Sequence, residues 1–80
     1  MPDVHVEALV EPFRENDPGP HVQAVVHELA DAGLEPDLGP FATTASGDAD
    51  AVADAVARAI RAGLREGATS MHFRVHVDED

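Results

Sequence analysis

The chain has 80 residues, of which sixteen are acidic and five are arginines, and its formal net charge is −11. Because a typical domain holds about 100 to 150 residues, there is room for one domain, spanning 1–80. The negative charge repels phosphate backbones and anionic lipid headgroups, so neither nucleic acid nor membrane is an expected partner. The absence of cysteine excludes disulfide frameworks, cysteine-ligated zinc and thiol nucleophiles.

The start of the chain and its hydropathy favour a soluble, acidic protein of the cytoplasm. No apolar run approaches the roughly 20 residues of a membrane span. Met1-Pro2-Asp3 lacks the basic start and the apolar stretch of a signal peptide. A domain of this size buries only a little over about 60% of its unfolded surface, so its length favours self-association into a homo-oligomer.

The strands are predicted from an alternation of apolar and polar residues. Apolar residues occupy every second position from 4 to 10, which predicts a first strand over 3–11 with one face on a core. The same alternation over 71–77 predicts the last strand. Between them, the segment 34–40 is broken by prolines and is at most an edge strand, and 41–45 is a further brief strand.

The first helix is predicted from apolar residues at helical spacing. After a loop rich in proline over 11–20, apolar side chains recur at i, i+3, i+4 and i+7 from Val22 to Leu29. Pro20 suits the first position of the helix, and Gly33 suits its C-terminal end. This pattern predicts one amphipathic helix between the first and second strands.

A second, alanine-rich helix is predicted after the turn at Ser46-Gly47-Asp48. Asp48 suits the N-cap position, and Gly67 marks the end of the helix. One side of this helix is expected to face the core, and its members are Val52, Val56, Ala59, Ile60 and Gly63.

The order strand, helix, strand, strand, helix, strand defines the fold class. It predicts an α+β, ferredoxin-like βαββαβ sandwich, in which an antiparallel four-stranded sheet carries two helices on one face. In that plan the first and last strands are antiparallel neighbours. Their side chains that point away from the helices therefore share one face of the sheet.

We predict a register for these two strands in which Glu7 lies opposite Arg74. This register sets His5 opposite His76 and Leu9 opposite His72. The favoured interpretation of this face is a polar subunit interface, through which sheets pair into a homo-dimer or homo-tetramer. The predicted interface residues are Glu7, Leu9, His72, Arg74 and His76.

The same face also permits a metal interpretation, with His5, His76 and Glu7 as ligands, because imidazole and carboxylate suit divalent metals. The chain contains neither a His-x-His nor a His-Glu-x-x-His spacing. Histidines scattered along a short chain often meet without a metal. We therefore predict no metal site, and no cofactor.

Five short motifs follow one another along nearly the whole chain, from Val4 to Val77. A Gly-Ala-Thr sequence then precedes the last strand. In this order the motifs resemble the YkoF-like thiamine and hydroxymethylpyrimidine-binding family. The five motifs lie at 7–13, 18–22, 33–34, 39–44 and 47–48, and the Gly-Ala-Thr sequence lies at 67–69.

The resemblance implies small ferredoxin-like domains that pair through their sheets, with pockets for a thiamine-related compound. Thiamine carries a thiazolium cation and an aminopyrimidine, which are bound by carboxylates, hydroxyls and an aromatic or apolar wall. The residues expected to contact the ligand are Glu11, Phe13, His21, Thr43 and Thr44.

The predicted function is therefore non-catalytic binding of a small molecule, thiamine or its hydroxymethylpyrimidine moiety, in vitamin uptake or salvage. The alternative is a structural or regulatory homo-oligomer without a thiamine-type ligand, because the family usually has Gly-Thr in place of Ala42-Thr43 and an acidic residue in place of Ser46. No phosphate loop and no nucleophile motif is present, so no catalytic residue is predicted. A histidine and a glutamate acting as general acid and base stay open as a third possibility.

Overall fold

The computed structural model describes residues 1–14, 17 and 19–78, which form two helices and four strands. The elements are β1 (Asp3–Glu11), α1 (Gly19–Asp31), β2 (Asp37–Leu38), β3 (Thr43–Asp48), α2 (Ala49–Arg65) and β4 (Ser70–Val77). All strand pairs are antiparallel, and the sheet order is β2-β3-β1-β4. This arrangement confirms the predicted α+β ferredoxin-like fold.

The third strand differs in its bounds from the sequence prediction of 41–45. The backbone N–H of Gly39 donates to the carbonyl of Ala42 at 3.0 Å, so residues 40 and 41 belong to a tight turn. The strand then continues to Asp48, because Gly47 and Asp48 pair with Val4 and Asp3 of β1. Leu34 packs over Gly47. A Cβ at Gly47 would lie 2.5 Å from Leu34 Cδ2.

The core lies between the sheet and the helices. Every second residue of β1 from Val4 to Val10 is buried, as the alternation predicts. The helix α1 contributes Val22, Val25 and Leu29. These side chains form one continuous apolar cluster with the inner side of α2, and their removal from water is the main stabilising term.

The inner face of α2 is rotated relative to the predicted one. Ala55 is fully buried, whereas Ile60 is 37% exposed. The physical reason is close packing of the helices, which needs small side chains at Ala55, Ala59 and Gly63. A Cβ at Gly63 would lie 3.2 Å from Cγ2 of Val25 and 2.8 Å from Sδ of Met71.

The second helix begins where the sequence predicts. Asp48 is its N-cap, and its side chain accepts a hydrogen bond from the backbone N–H of Asp50 at 3.0 Å. Gly67 follows the helix with a φ of +101°, a left-handed conformation that favours glycine. Neither helix of the described chain is long and apolar enough to cross a membrane.

The packing at Gly63 gives a stability prediction. Replacing Gly63 with leucine should lower the free energy of unfolding by about 1–3 kcal/mol, because the added atoms overlap Val25 and Met71. Urea unfolding followed by circular dichroism measures this change. The matched control is Ala57→Leu on the exposed side of α2, which should change stability by less than about 0.5 kcal/mol. Equal stability of the two variants would contradict the packing argument.

Candidate functional site

The helices leave one side of the sheet uncovered, and we call this side the open face. It is formed by the residues of β1, β3 and β4 that alternate with the buried ones. Its side chains are half-buried or exposed and mostly polar. Its members are His5, Glu7, Leu9, Glu11, Thr44, Ser46, Ser70, His72, Arg74 and His76.

The register between β1 and β4 confirms the sequence prediction. Glu7 pairs with Arg74, His5 with His76, and Leu9 with His72. The five predicted interface residues therefore lie together on the part of the open face that β1 and β4 form. Their role in self-association stays a prediction.

Four side chains at one end of the open face form what we call the imidazole cluster: His5, Glu7, His76 and Asp78. The rings of His5 and His76 stack with centroids 4.8 Å apart and an angle of 7° between their planes. Nδ1 of His5 donates to Oδ1 of Asp78 at 2.6 Å. Nε2 of His76 lies 3.7 Å from Oε1 of Glu7. Each imidazole is thus accompanied by one carboxylate.

Asp78 was missed in the sequence analysis, because it lies just beyond the predicted last strand, which ends at residue 77. Its backbone N–H donates to the carbonyl of Asp3 at 2.9 Å, so the strand pairing extends one residue beyond β4. In an antiparallel pair, residues i and j+2 are diagonal neighbours on one face. The pairing of His5 with His76 therefore already carried the signal that residue 78 lies near His5.

Three of the predicted ligand-binding residues lie around the opposite end of β1. The backbone carbonyl of Glu11 accepts hydrogen bonds from Thr69, from its N–H at 2.8 Å and from its hydroxyl at 3.2 Å. The Glu11 side chain itself is exposed. Phe13 is half-buried and packs against the core. His21 donates from Nε2 to the carbonyl of Pro12, which joins the start of α1 to the end of β1.

A cavity of about 300 Å³ opens beside His21. It brings together opposite charges from Arg14 and Asp17, which the sequence analysis did not single out. Glu11 and Phe13 adjoin this cavity in the chain, but they are not among the described residues that line it. The lining is Pro12, Arg14, Asp17, Gly19, Pro20 and His21.

The two predicted threonines lie on opposite sides of the sheet, as strand alternation requires. Thr43 pairs with Ala8 on the helix side and is only 2% exposed. Thr44 pairs with Glu7 on the open face and is exposed. The structure therefore separates the predicted ligand residues into three places: the end of β1, the core and the open face.

An apolar groove runs between α2 and the edge strand β4. Val75 and Val77 point to the helix side but remain 53% and 58% exposed, because β4 is an edge strand and the helices do not cover it fully. A cavity of about 320 Å³ lies there between Val75 and residues of α2 such as Ala53 and Val56. The sequence pattern alone assigned these valines to the core.

Solved structures of low sequence identity share this fold. A domain of unknown function, DUF77, from Bacillus cereus has 22% identity and a TM-score of 0.71, over 99% of this chain and 77% of that chain. A candidate thiamine biosynthesis/salvage protein from Thermotoga maritima has 21% identity and a TM-score of 0.70, over 99% of this chain and 85% of that chain. A hypothetical protein from Methanocaldococcus jannascii has 18% identity and a TM-score of 0.73, over 100% of this chain and 82% of that chain.

The comparison with protein families is more specific than the shared fold. No curated protein matches the chain. The family model described as thiamine-binding protein, however, matches residues 6–80, from the middle of β1 to the end of the sequence. This match agrees with the resemblance noted in the sequence motifs. The chain belongs to the thiamine-binding protein family.

Proposed function

We propose that this protein binds thiamine or its hydroxymethylpyrimidine moiety without converting it, and serves vitamin uptake or salvage in the cytoplasm. The observation that carries the proposal is the family match over residues 6–80. The Thermotoga maritima structure, described as a candidate thiamine biosynthesis/salvage protein, also supports a thiamine-related function. The net charge of −11 favours a cationic ligand such as the thiazolium ring.

The end of β1 is the part of the molecule that best suits this ligand. Ligand sites typically enclose about 300–1,000 Å³, and the cavity beside His21 measures about 300 Å³. Glu11 directly precedes Pro12 of the cavity lining, and we assign its exposed carboxylate to the thiazolium cation. Asp17 adds a second carboxylate in the cavity wall.

His21 is suited to the pyrimidine half of the ligand. Its Nε2 donates to the Pro12 carbonyl, so Nδ1 of a neutral ring keeps its lone pair and can accept from an aminopyrimidine. Gly19 keeps this nitrogen accessible, since a Cβ there would lie 3.3 Å from Nδ1 and 3.0 Å from Cε1. We assign Phe13 to the apolar wall beside this site. Contacts from Thr43 and Thr44 stay a prediction.

The proposal predicts a ligand-selective effect of Glu11→Gln. Isothermal titration of thiamine should show saturable heat with wild type and an affinity about tenfold lower with the variant, or roughly 1.4 kcal/mol. Hydroxymethylpyrimidine has no thiazolium cation, so its affinity should change little. Asp54→Asn removes the same charge from the exposed side of α2 and is the control. Wild type that gives no saturable heat with either compound would overturn the proposal.

We also propose that the chain forms a homo-dimer or homo-tetramer through the open face. Leu9 is an apolar residue on this polar surface, two residues from Glu7 on β1 and opposite His72 of the edge strand. A structural or regulatory oligomer without a thiamine-type ligand is the second candidate function. The observation that favours it is the exposure of Val75 and Val77 beside an unpaired strand edge, a surface that favours association.

The assembly proposal predicts different effects for two leucine substitutions. Leu9→Lys places a charge in the open face and should shift the mass measured by light scattering to that of a monomer. Leu64→Lys makes the same change on α2, where the leucine is 58% exposed, and should leave the mass unchanged. Dissociation by Leu64→Lys alone would place the interface on the helix side and contradict the proposal.

A further inference from the structure

The imidazole cluster has a geometry that the proposed thiamine site does not use. His5, Glu7 and His76 each offer one ligand atom, and these atoms lie within 4.8 Å of one another. The residues come from two neighbouring strands, and their positions are fixed by backbone pairing rather than by a loop. Sites built on strands hold their side chains more precisely than sites on loops.

We propose that the imidazole cluster binds one divalent transition-metal ion of the Zn²⁺ type, with His5, Glu7 and His76 as ligands. Two imidazoles and one carboxylate are a set that suits Zn²⁺, Co²⁺, Ni²⁺ and Cu²⁺, whereas Mg²⁺ and Ca²⁺ prefer oxygen ligands alone. Three protein ligands leave the fourth tetrahedral position for water or for another group. This inference is independent of thiamine binding.

The three side chains can close around an ion by turning about their side-chain torsions. Zinc bonds of about 2.0–2.1 Å place tetrahedral ligand atoms about 3.3 Å apart, whereas the three ligand atoms lie within 4.8 Å of one another in the cluster. The side chains of His5, Glu7 and His76 are 40%, 43% and 33% exposed, so no core packing opposes the movement. The stacked rings must turn so that one nitrogen of each points to the same centre.

Asp78 supplies the support that a metal-binding histidine normally has. Ligating histidines usually donate their other ring N–H to a carboxylate or carbonyl, which fixes the tautomer and the ring orientation. The hydrogen bond from His5 Nδ1 to Asp78 Oδ1, at 2.6 Å, provides this support and leaves Nε2 of His5 with its lone pair. Asp78 is therefore a positioning residue in this proposal.

The charges around the cluster favour a cation. Glu7 and Asp78 are carboxylates, and the one cation that the register places beside them is Arg74, opposite Glu7. Among the described residues, however, Glu7 has its ion-pair contact with His76 at 3.7 Å and not with Arg74. The Glu7 carboxylate is thus already turned towards the cluster.

The sequence analysis considered His5, Glu7 and His76 as metal ligands. It predicted no metal site, because the chain lacks a His-x-His or His-Glu-x-x-His spacing and scattered histidines often meet without a metal. The structure adds the side-chain geometry, in which one ligand atom of each residue lies within 4.8 Å of the others, and the hydrogen bond from His5 to Asp78.

Isothermal titration of Zn²⁺ into tag-free protein, stripped of metal with EDTA and desalted, tests the proposal. With physiological salt and millimolar Mg²⁺ present, the heat should saturate at one Zn²⁺ per chain. His5→Gln and His76→Gln should each lower the affinity at least tenfold, and Asp78→Asn should lower it by about 10–100-fold. Co²⁺ gives a second readout, because nitrogen ligation changes its visible absorption.

His27→Gln is the matched control. His27 lies on α1, its side chain is 75% exposed, and it belongs neither to the open face nor to the cluster. This variant should bind Zn²⁺ like wild type. The proposal fails if wild type gives no saturable Zn²⁺ heat, or if His27→Gln and His76→Gln weaken binding equally. Circular dichroism of each variant confirms that it is folded.

Discussion

The antiparallel pairing of β1 with β4 is the constraint on which the rest of the structure depends. It joins the two ends of the chain at one edge of the sheet, with Val4 opposite Val77 and Glu11 opposite Ser70. Because side chains alternate along a strand, this single register decides which residues enter the core and which form the open face. A slip by one residue would turn the buried valines of β1 towards water and the histidines towards the helices.

Much of this architecture could be predicted from the sequence, because β1 alternates cleanly and its buried face is continuous. The register followed from one charge pair, Glu7 with Arg74, once the fold class was assigned. Periodicity could not show how far the helices extend across the sheet. It therefore assigned Val75 and Val77 to the core, although β4 is at the edge and they remain exposed.

The candidate site was predicted less completely, because ligand residues were chosen by chemical type and not by position. Thr43 and Thr44 have the same chemistry, but they lie on opposite sides of the sheet. Arg14 and Asp17 had no periodic pattern to mark them, since both lie in the irregular connection between β1 and α1. Asp78 was not predicted for another reason. Its position depends on backbone pairing with Asp3, which continues one residue beyond the end of β4.

The two ends of β1 carry different chemistry, and the strand keeps them apart. Glu7 and Glu11 share one face but are four residues apart, which is about 13 Å along a strand. The proposed thiamine site near Glu11 and the proposed metal site near Glu7 are therefore too distant to share a ligand.

Charge nevertheless connects the metal site to assembly. Pairing two open faces brings together chains that each carry a charge of −11, and this repulsion opposes the apolar contact at Leu9. A divalent ion at the imidazole cluster adds two positive charges to this face and so lowers the repulsion between two paired faces. In the molecule proposed here, metal binding therefore favours association through the open face, and because the coupling is reciprocal, association favours metal binding by the same factor.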